Sequence, residues 1–344
     1  MWGGLKARRS PPTITGTKIS IPAYPWTASM EPGFESSILV FGFYVDKRNP
    51  WKWTENPEAG MKLVRFGEPQ REQPGVLTPA GDILDVSSFT GDYNAAFFED
   101  DGIANLRAWL EARAKDLPIA PAGVRLGAPI TRPGKIICVG LNYADHAKES
   151  NSQVPPEPVI FSKAVTAYNG PCDPIQVPRG SKKTDWEVEL AFIIGRRSKY
   201  VAEADAMRHI AGFAVLNDVS EREFQAERCG QWVKGKSHDT FAPIGPWLVT
   251  PDEIENVQNL AMRLDVNGQR MQTGNTNTMV YPVVFLLSYI SQFLTLEAGD
   301  VVGTGTPPGV GMGKKPPVFL KPGDVVELSV EHLGTQRQEV IAAD

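Results

Sequence analysis

Asp185-Trp186-Glu187-Val188-Glu189-Leu190-Ala191 alternates charge with bulk. A strand throws successive side chains to opposite faces. Read as a strand, this stretch puts Glu187 and Glu189 on one face and packs Trp186, Val188 and Leu190 on the other. Two neighbouring carboxylates repel and are costly to bury unless a cation sits between them. Asp218 follows the apolar run Phe213-Ala214-Val215-Leu216, which reads as a second buried strand. Three oxygen donors on rigid strands suit Mg²⁺ or Mn²⁺, with positions left for water and substrate. The alternative is a solvated strand face carrying ordinary acids.

Outward from this stretch, the bulk numbers exclude several classes. The chain has 344 residues, enough for one large domain or two. Its 42% hydrophobic and 22% charged residues are ordinary for a globular protein. A net charge of −5 gives no sign of nucleic-acid or anionic-membrane binding. Cys138, Cys172 and Cys229 show no CxxC pairing, which argues against a zinc site or a disulfide scaffold. A reducing, cytoplasmic compartment is the default expectation. No run approaches the ~18 apolar residues of a membrane helix. The longest, Met279 to Leu294, is broken by Pro282, Ser288 and Ser291 and reads as a buried helix.

Residues 1–60 differ from the rest. They hold Trp2, Trp26, Trp51 and Trp53, half of the chain's 8 tryptophans, and show no sustained period beyond a short run at Ile38–Val45. Lys6, Arg8 and Arg9 lead into Ser-Pro-Pro rather than an apolar core, unlike a signal peptide. The expectation is that the functional protein starts at or near Met61, with 1–60 a largely disordered upstream extension. Residues 61–125 read as a small N-terminal α+β domain, with strands near Lys62–Phe66 and Gly75–Leu77 and a helix over about Gly102–Lys115. Residues 126–344, richer in Gly, Pro and β-branched runs, read as a second domain. There Gly299-Asp300-Val301-Val302 and Gly323-Asp324-Val325-Val326 each turn into a strand, as in β-roll and barrel proteins. Helices are expected over Ala202–Ile210 and Tyr281–Phe293.

Gly134-Lys135-Ile136-Ile137-Cys138-Val139 reads as a buried strand running into Gly140-Leu141-Asn142-Tyr143-Ala144-Asp145-His146-Ala147-Lys148-Glu149. On a helical turn His146 and Glu149, three apart, face the same way. A carboxylate beside imidazole orients its tautomer and raises its basicity, which makes a candidate general base. An exposed polar helix is the plainer alternative. Lys236, between the small residues of Gly235-Lys236-Ser237, has room to approach an anionic oxygen; an ordinary surface lysine is the plainer alternative. Val302-Gly303-Thr304-Gly305-Thr306-Pro307-Pro308-Gly309 has neither GxxxxGK[ST] nor GxGxxG spacing. It reads as a tight loop that holds a substrate carboxylate with backbone amides and the Thr306 hydroxyl. The polar stretch 149–153, within 142–156, suggests a lid.

In their order, Gly140-Leu141-Asn142-Tyr143 with His146, Asp185–Glu189, Asn217-Asp218, Gly235-Lys236-Ser237 and Gly305-Thr306-Pro307 resemble the fumarylacetoacetate hydrolase family over about residues 126–340. Asp218–Glu223, Asp239–Thr250 and Gly309–Pro317 look most like a bacterial subgroup that includes 2,4-diketo-3-deoxy-L-rhamnonate and L-fuconate hydrolases and members described as ureidoglycolate lyases. The resemblance implies an α+β fold, a mixed, barrel-like β-roll with flanking helices, usually a homodimer. It implies that Glu187, Glu189 and Asp218 hold Mg²⁺ or Mn²⁺, that His146 with Glu149 activates water, and that Lys236 stabilises developing negative charge. Arg222, Gln225 and Thr306 match substrate-contacting positions. One departure is Val139, where animal fumarylacetoacetases carry a further metal-ligating Asp; smaller acylpyruvase-type members also lack it. Fumarylacetoacetate itself is therefore disfavoured. The implied reaction is hydrolysis of the C3–C4 bond of a 2,4-diketo acid, with pyruvate leaving as its enolate. Ureidoglycolate lysis, isomerisation or decarboxylation on the same scaffold, or non-catalytic binding of a 2-oxo acid, are the alternatives. No nucleic-acid or membrane partner is expected.

Overall fold

Every residue of Val188–Ile194 is buried, as is every residue of Ile210–Asn217. Strands apolar along their whole length belong in the middle of a sheet covered on both faces. The computed structural model describes residues 60–149 and 153–343. Except for Gly60, the expected upstream extension lies outside the described residues.

The strands, in chain order, begin with β1 (Lys62–Phe66), β2 (Gln73–Leu77), β3 (Ile83–Asp85), β4 (Leu126–Gly127), β5 (Ile136–Gly140) and β6 (Val159–Lys163). Next come β7 (Tyr168–Asn169), β8 (Ile175–Val177), β9 (Thr184–Asp185), β10 (Val188–Ile194), β11 (Ile210–Asn217) and β12 (Ser220–Glu221). The last are β13 (Ala242–Val249), β14 (Ala261–Val266), β15 (Gln269–Asn275), β16 (Val301–Gly303), β17 (Val325–Val330) and β18 (Gly334–Ala342). The α-helices are α1 (Ala95–Glu99), α2 (Gly102–Arg113), α3 (Ala144–Glu149), α4 (Val233–Lys236) and α5 (Val283–Phe293).

An 11-stranded sheet runs β3-β2-β1-β13-β11-β10-β16-β5-β6, with β4 beside β1 and β7 beside β13. The strands of 61–125 thus continue the large sheet through the β1–β13 pairing. A second sheet, β15-β14-β17-β18-β8, packs on the first. Buried Gln336 on β18 donates to the carbonyls of Val215 and Gly245, at 2.7 and 3.2 Å, which satisfies polar groups between the layers. The architecture is α+β, with mixed sheets and few helices, as the sequence resemblance implies. Among the described residues no helix is long and apolar enough to cross a membrane.

Strand direction decides where chemistry collects. β10 is antiparallel to β11 and to β16, and β16 is parallel to β5. The start of β10 and the ends of β11, β16 and β5 therefore share one edge. Glu187, Asp218, the loop after Gly303 and the approach to His146 all meet there.

Three local readings change. The strand expected over 185–191 is interrupted: β9 ends at Asp185 and β10 starts at Val188. Asp185 Oδ1 accepts from Gly311 N at 2.6 Å, and the buried Trp186 indole donates to the Gly309 carbonyl at 3.2 Å, so the chain turns between the two strands. The helix expected over 202–210 is a 3₁₀ helix, Glu203–His209. That over 281–293 begins at Val283, after Pro282 sets its entry.

Candidate active site and metal centre

Glu187, Glu189 and Asp218 each offer a carboxylate oxygen, and these atoms all lie within 4.8 Å of one another. All three residues are buried. Pairing of Val188 with Asn217 across β10 and β11 brings the acids together, since Glu187 precedes one partner and Asp218 follows the other. Asp218 N also donates to the Glu187 carbonyl at 3.0 Å.

Carboxylates this close need counter-charge. Lys236 Nζ lies 2.7 Å from Glu187 Oε2 and 2.6 Å from Asp218 Oδ2. Lys163 Nζ lies 2.5 Å from Asp218 Oδ1. Arg222 reaches Glu187 Oε1 at 2.7 Å and Asp185 Oδ2 at 2.8 Å. Asp185, Glu187, Glu189 and Asp218 thus face Lys163, Arg222 and Lys236, which leaves one negative charge over. Burial alone would raise the Glu187 carboxyl, but Lys236 and Arg222 outweigh it and hold it at about 2. Glu189 goes the other way. Burial, then the charges of Asp218 and Glu187, push it well above the usual range, against the pull of Lys236 and a hydrogen bond from Gly305 N at 3.1 Å. A divalent cation among these oxygens would supply the charge that Glu189 lacks. The all-oxygen donor set fits a hard cation such as Mg²⁺ or Mn²⁺.

The His146–Glu149 pair forms on α3 as the spacing implies, with Nδ1 3.3 Å from Oε2. Glu149 is fixed from the other side, because Gly309 N donates to Oε1 and Oε2 at 3.0 and 2.9 Å. Gly309 has φ +106°, and a Cβ there would stand 2.1 Å from the Met271 carbonyl oxygen. Only glycine fits such a position without strain. Residues 150–152 of the expected lid lie outside the described residues.

Arg222, Gln225 and Thr306 are all buried beside this cluster. Arg222 donates to Gln225 Oε1 at 3.2 Å. The Thr306 hydroxyl donates to the Val188 carbonyl at 2.9 Å and accepts from Gln272 Nε2 at 2.8 Å, which ties the Gly-Thr-Pro loop to β10 and β15.

Sequence reasoning missed Lys163, Asp185 and Asn142. Lys163 looks like an ordinary polar residue at a strand end; its signal is that it shares strand parity with Phe161 and Val159. Asp185 enters the sequence reading only as part of the alternating run and of the Asp185–Glu189 motif, with no role of its own, yet besides Arg222 it accepts from Gly311 N and from Met312 N at 3.0 Å. The Asn142 amide donates to the Thr304 and Tyr281 carbonyls at 2.8 and 3.1 Å and accepts from Tyr281 N at 2.9 Å, which locks the turn into α3 against the Thr304 loop and the start of α5.

Comparison with known proteins agrees with this geometry. Residues 135–341 match the family described as Fumarylacetoacetate (FAA) hydrolase C-terminal. The chain is 49% identical over 281 residues to a 2,4-didehydro-3-deoxy-L-rhamnonate hydrolase of a Sphingomonas strain, covering 81% of this chain and 96% of that protein. A fumarylacetoacetate hydrolase from psychrophilic Exiguobacterium antarcticum has a similar structure, with TM-score 0.72 and 37% identity over 82% of this chain and all 100% of that one. So has maleylpyruvate hydrolase from Sphingobium sp. SYK-6 in complex with manganese(II) and pyruvate, with TM-score 0.69 and 30% identity over 83% of this chain and 100% of that one. With its acids, its His–Glu pair and its Gly-Thr-Pro loop on one sheet edge of the same fold, the chain belongs to the fumarylacetoacetate hydrolase family.

Proposed function

We propose that the protein hydrolyses a carbon–carbon bond in a 2,4-diketo acid, giving pyruvate and a second acid, and that it needs Mg²⁺ or Mn²⁺ to do so. The observation that carries this reading is the buried Glu187–Glu189–Asp218 triad beside a His–Glu pair. The Sphingomonas relative's name supports a diketo deoxy-sugar acid as substrate, and the manganese and pyruvate in the Sphingobium structure support the cation and the product.

Glu187, Glu189 and Asp218 would hold the cation, which supplies Lewis-acid polarisation of 2-oxo acid oxygens. His146, oriented by Glu149, takes a proton from water as that water attacks the C4 carbonyl. The Lys236 ammonium favours the resulting oxyanion, a kind of stabilisation worth ~3–4 kcal/mol per donor. As the C3–C4 bond breaks, its electron pair leaves with C3 as the pyruvate enolate, and His146 returns the proton to that carbon. Arg222 keeps Glu187 ionised and, with Gln225, lines the substrate side. Thr306 fixes the loop whose backbone N–H groups are the proposed cradle for the substrate carboxylate.

Product analysis tests this. Acetylpyruvate, a 2,4-diketo-3-deoxy sugar acid and ureidoglycolate are each incubated with the protein and Mn²⁺. Pyruvate with an equimolar acid is expected from the diketo acids. Glyoxylate and urea from ureidoglycolate alone would make the enzyme a lyase instead.

A further inference from the structure

Val188 stands between two acids of the cation site, Glu187 and Glu189. On the β11 side the sheet holds it, through its pairing with Asn217. On the other side β16 ends at Gly303, opposite Ala191, so the strand ladder stops short of Val188. A buried backbone N–H or C=O left without a partner costs about as much as a lost hydrogen bond. Two side chains replace the missing strand. Val188 N donates to Gln272 Oε1 at 2.9 Å. Gln272 Nε2 donates to the Thr306 hydroxyl at 2.8 Å. That hydroxyl donates to the Val188 carbonyl at 2.9 Å. The three bonds close a ring on the one residue that separates the two glutamates.

Gln272 comes from β15, in the second sheet, and is completely buried. Its amide nitrogen also donates to the Pro307 carbonyl at 2.8 Å. Its orientation is fixed, because the Val188 N–H can only donate and the Pro307 carbonyl can only accept. One amide thus ties the backbone between the acids to the Gly-Thr-Pro loop. Glu187 and Glu189 extend from either side of Val188, so a shift of that peptide moves both carboxylates. Ligand rigidity matters to the choice of ion. Mg²⁺ demands near-ideal octahedral oxygen geometry at about 2.0–2.1 Å, whereas Ca²⁺ accepts looser arrangements at about 2.3–2.6 Å.

We propose that Gln272 is a positioning residue of the cation site. With Thr306 it holds the backbone that sets the spacing of Glu187 and Glu189, and that rigidity tunes the site towards Mg²⁺ against Ca²⁺. This rests on the cation-dependent reading above and adds a selectivity to it.

The test is calorimetric titration of the full chain with Mg²⁺ and, separately, with Ca²⁺, in the absence of substrate. Gln272→Met keeps the side chain's length and removes the amide. It should lower Mg²⁺ affinity by about tenfold or more, as for loss of a group that orients a metal ligand. Ca²⁺ affinity should stay within about threefold, since that ion tolerates displaced ligands. Thr306→Val has nearly the same shape and opens the ring from the other side. It should show the same bias, and it decides the matter if Gln272→Met fails to fold. Thr306→Ser, which keeps the hydroxyl, should restore the wild-type ratio of the two affinities. Equal losses for both cations, or unchanged Mg²⁺ affinity in Gln272→Met and Thr306→Val, would overturn the assignment and leave the cation site standing. Binding of neither cation by the wild type would remove the cation-dependent reading and this inference with it.

Discussion

Lys163 Nζ lies 2.5 Å from Asp218 Oδ1, and neither side chain reaches solvent. The same ammonium donates to the Val219 carbonyl at 3.0 Å. Taking away one member of a buried pair strands the other charge, at ~3–5 kcal/mol. Lys163→Met is therefore expected to destabilise the metal-free protein by about that amount in urea unfolding. Mn²⁺ should recover part of the loss, since it takes over the charge on Asp218. A loss below ~1 kcal/mol, typical of an exposed pair, would show that Lys163 does not hold the site together.

Glu189 predicts a pH dependence. Burial, Asp218 and Glu187 raise its carboxyl well above the ordinary range. A folded-state pKa above the unfolded one contributes stability below the unfolded value, and that contribution is lost as pH rises through the folded value. The metal-free wild type should thus lose stability with rising pH above about 4.3, relative to Glu189→Gln. A cation bound there needs the carboxylate, so binding expels a proton. Mn²⁺ affinity should rise by up to about tenfold per pH unit below the raised pKa. Calorimetry in buffers of differing ionisation heat checks this, and uptake without proton release would contradict it.

His146→Ala should retain Mn²⁺ and lower kcat by ~100-fold or more, as for loss of a general base. Manganese stoichiometry and steady-state pyruvate release measure the two separately. An unchanged kcat would make His146 structural.

Gly309→Ala forces a Cβ to within 2.1 Å of the Met271 carbonyl oxygen at φ +106°. The loop must shift, and with it the N–H that holds Glu149. A loss of ~1–3 kcal/mol in stability is expected, together with a fall in kcat that exceeds any change in Mn²⁺ affinity. Thermal melts and kinetics on the one variant check both.

Much of the site was legible because strand parity and chain order carry it. Val188 and Leu190 had to be buried, and Asp218 had to follow an apolar strand. What was not legible depends on contacts distant in sequence. Trp186 and Asp185 are held by Gly309 and Gly311, more than a hundred residues away, so the break before β10 has no local signal. Lys163 is drawn inward by an acid 55 residues later. Arg222 and Gln225 were legible only through the family resemblance, and that Arg222 spends its nitrogens on Asp185 and Glu187 follows only from the tertiary fold.

The central claim is that the three buried carboxylates hold a divalent cation on which C–C hydrolysis depends. Its most direct test is pyruvate release from acetylpyruvate by chelator-treated protein, before and after Mn²⁺ is restored, in the wild type and in Glu187→Ala. The account predicts no release without the cation, full recovery on its return in the wild type, and none in the variant. Equal release from the chelated wild type, or from Glu187→Ala, would contradict it.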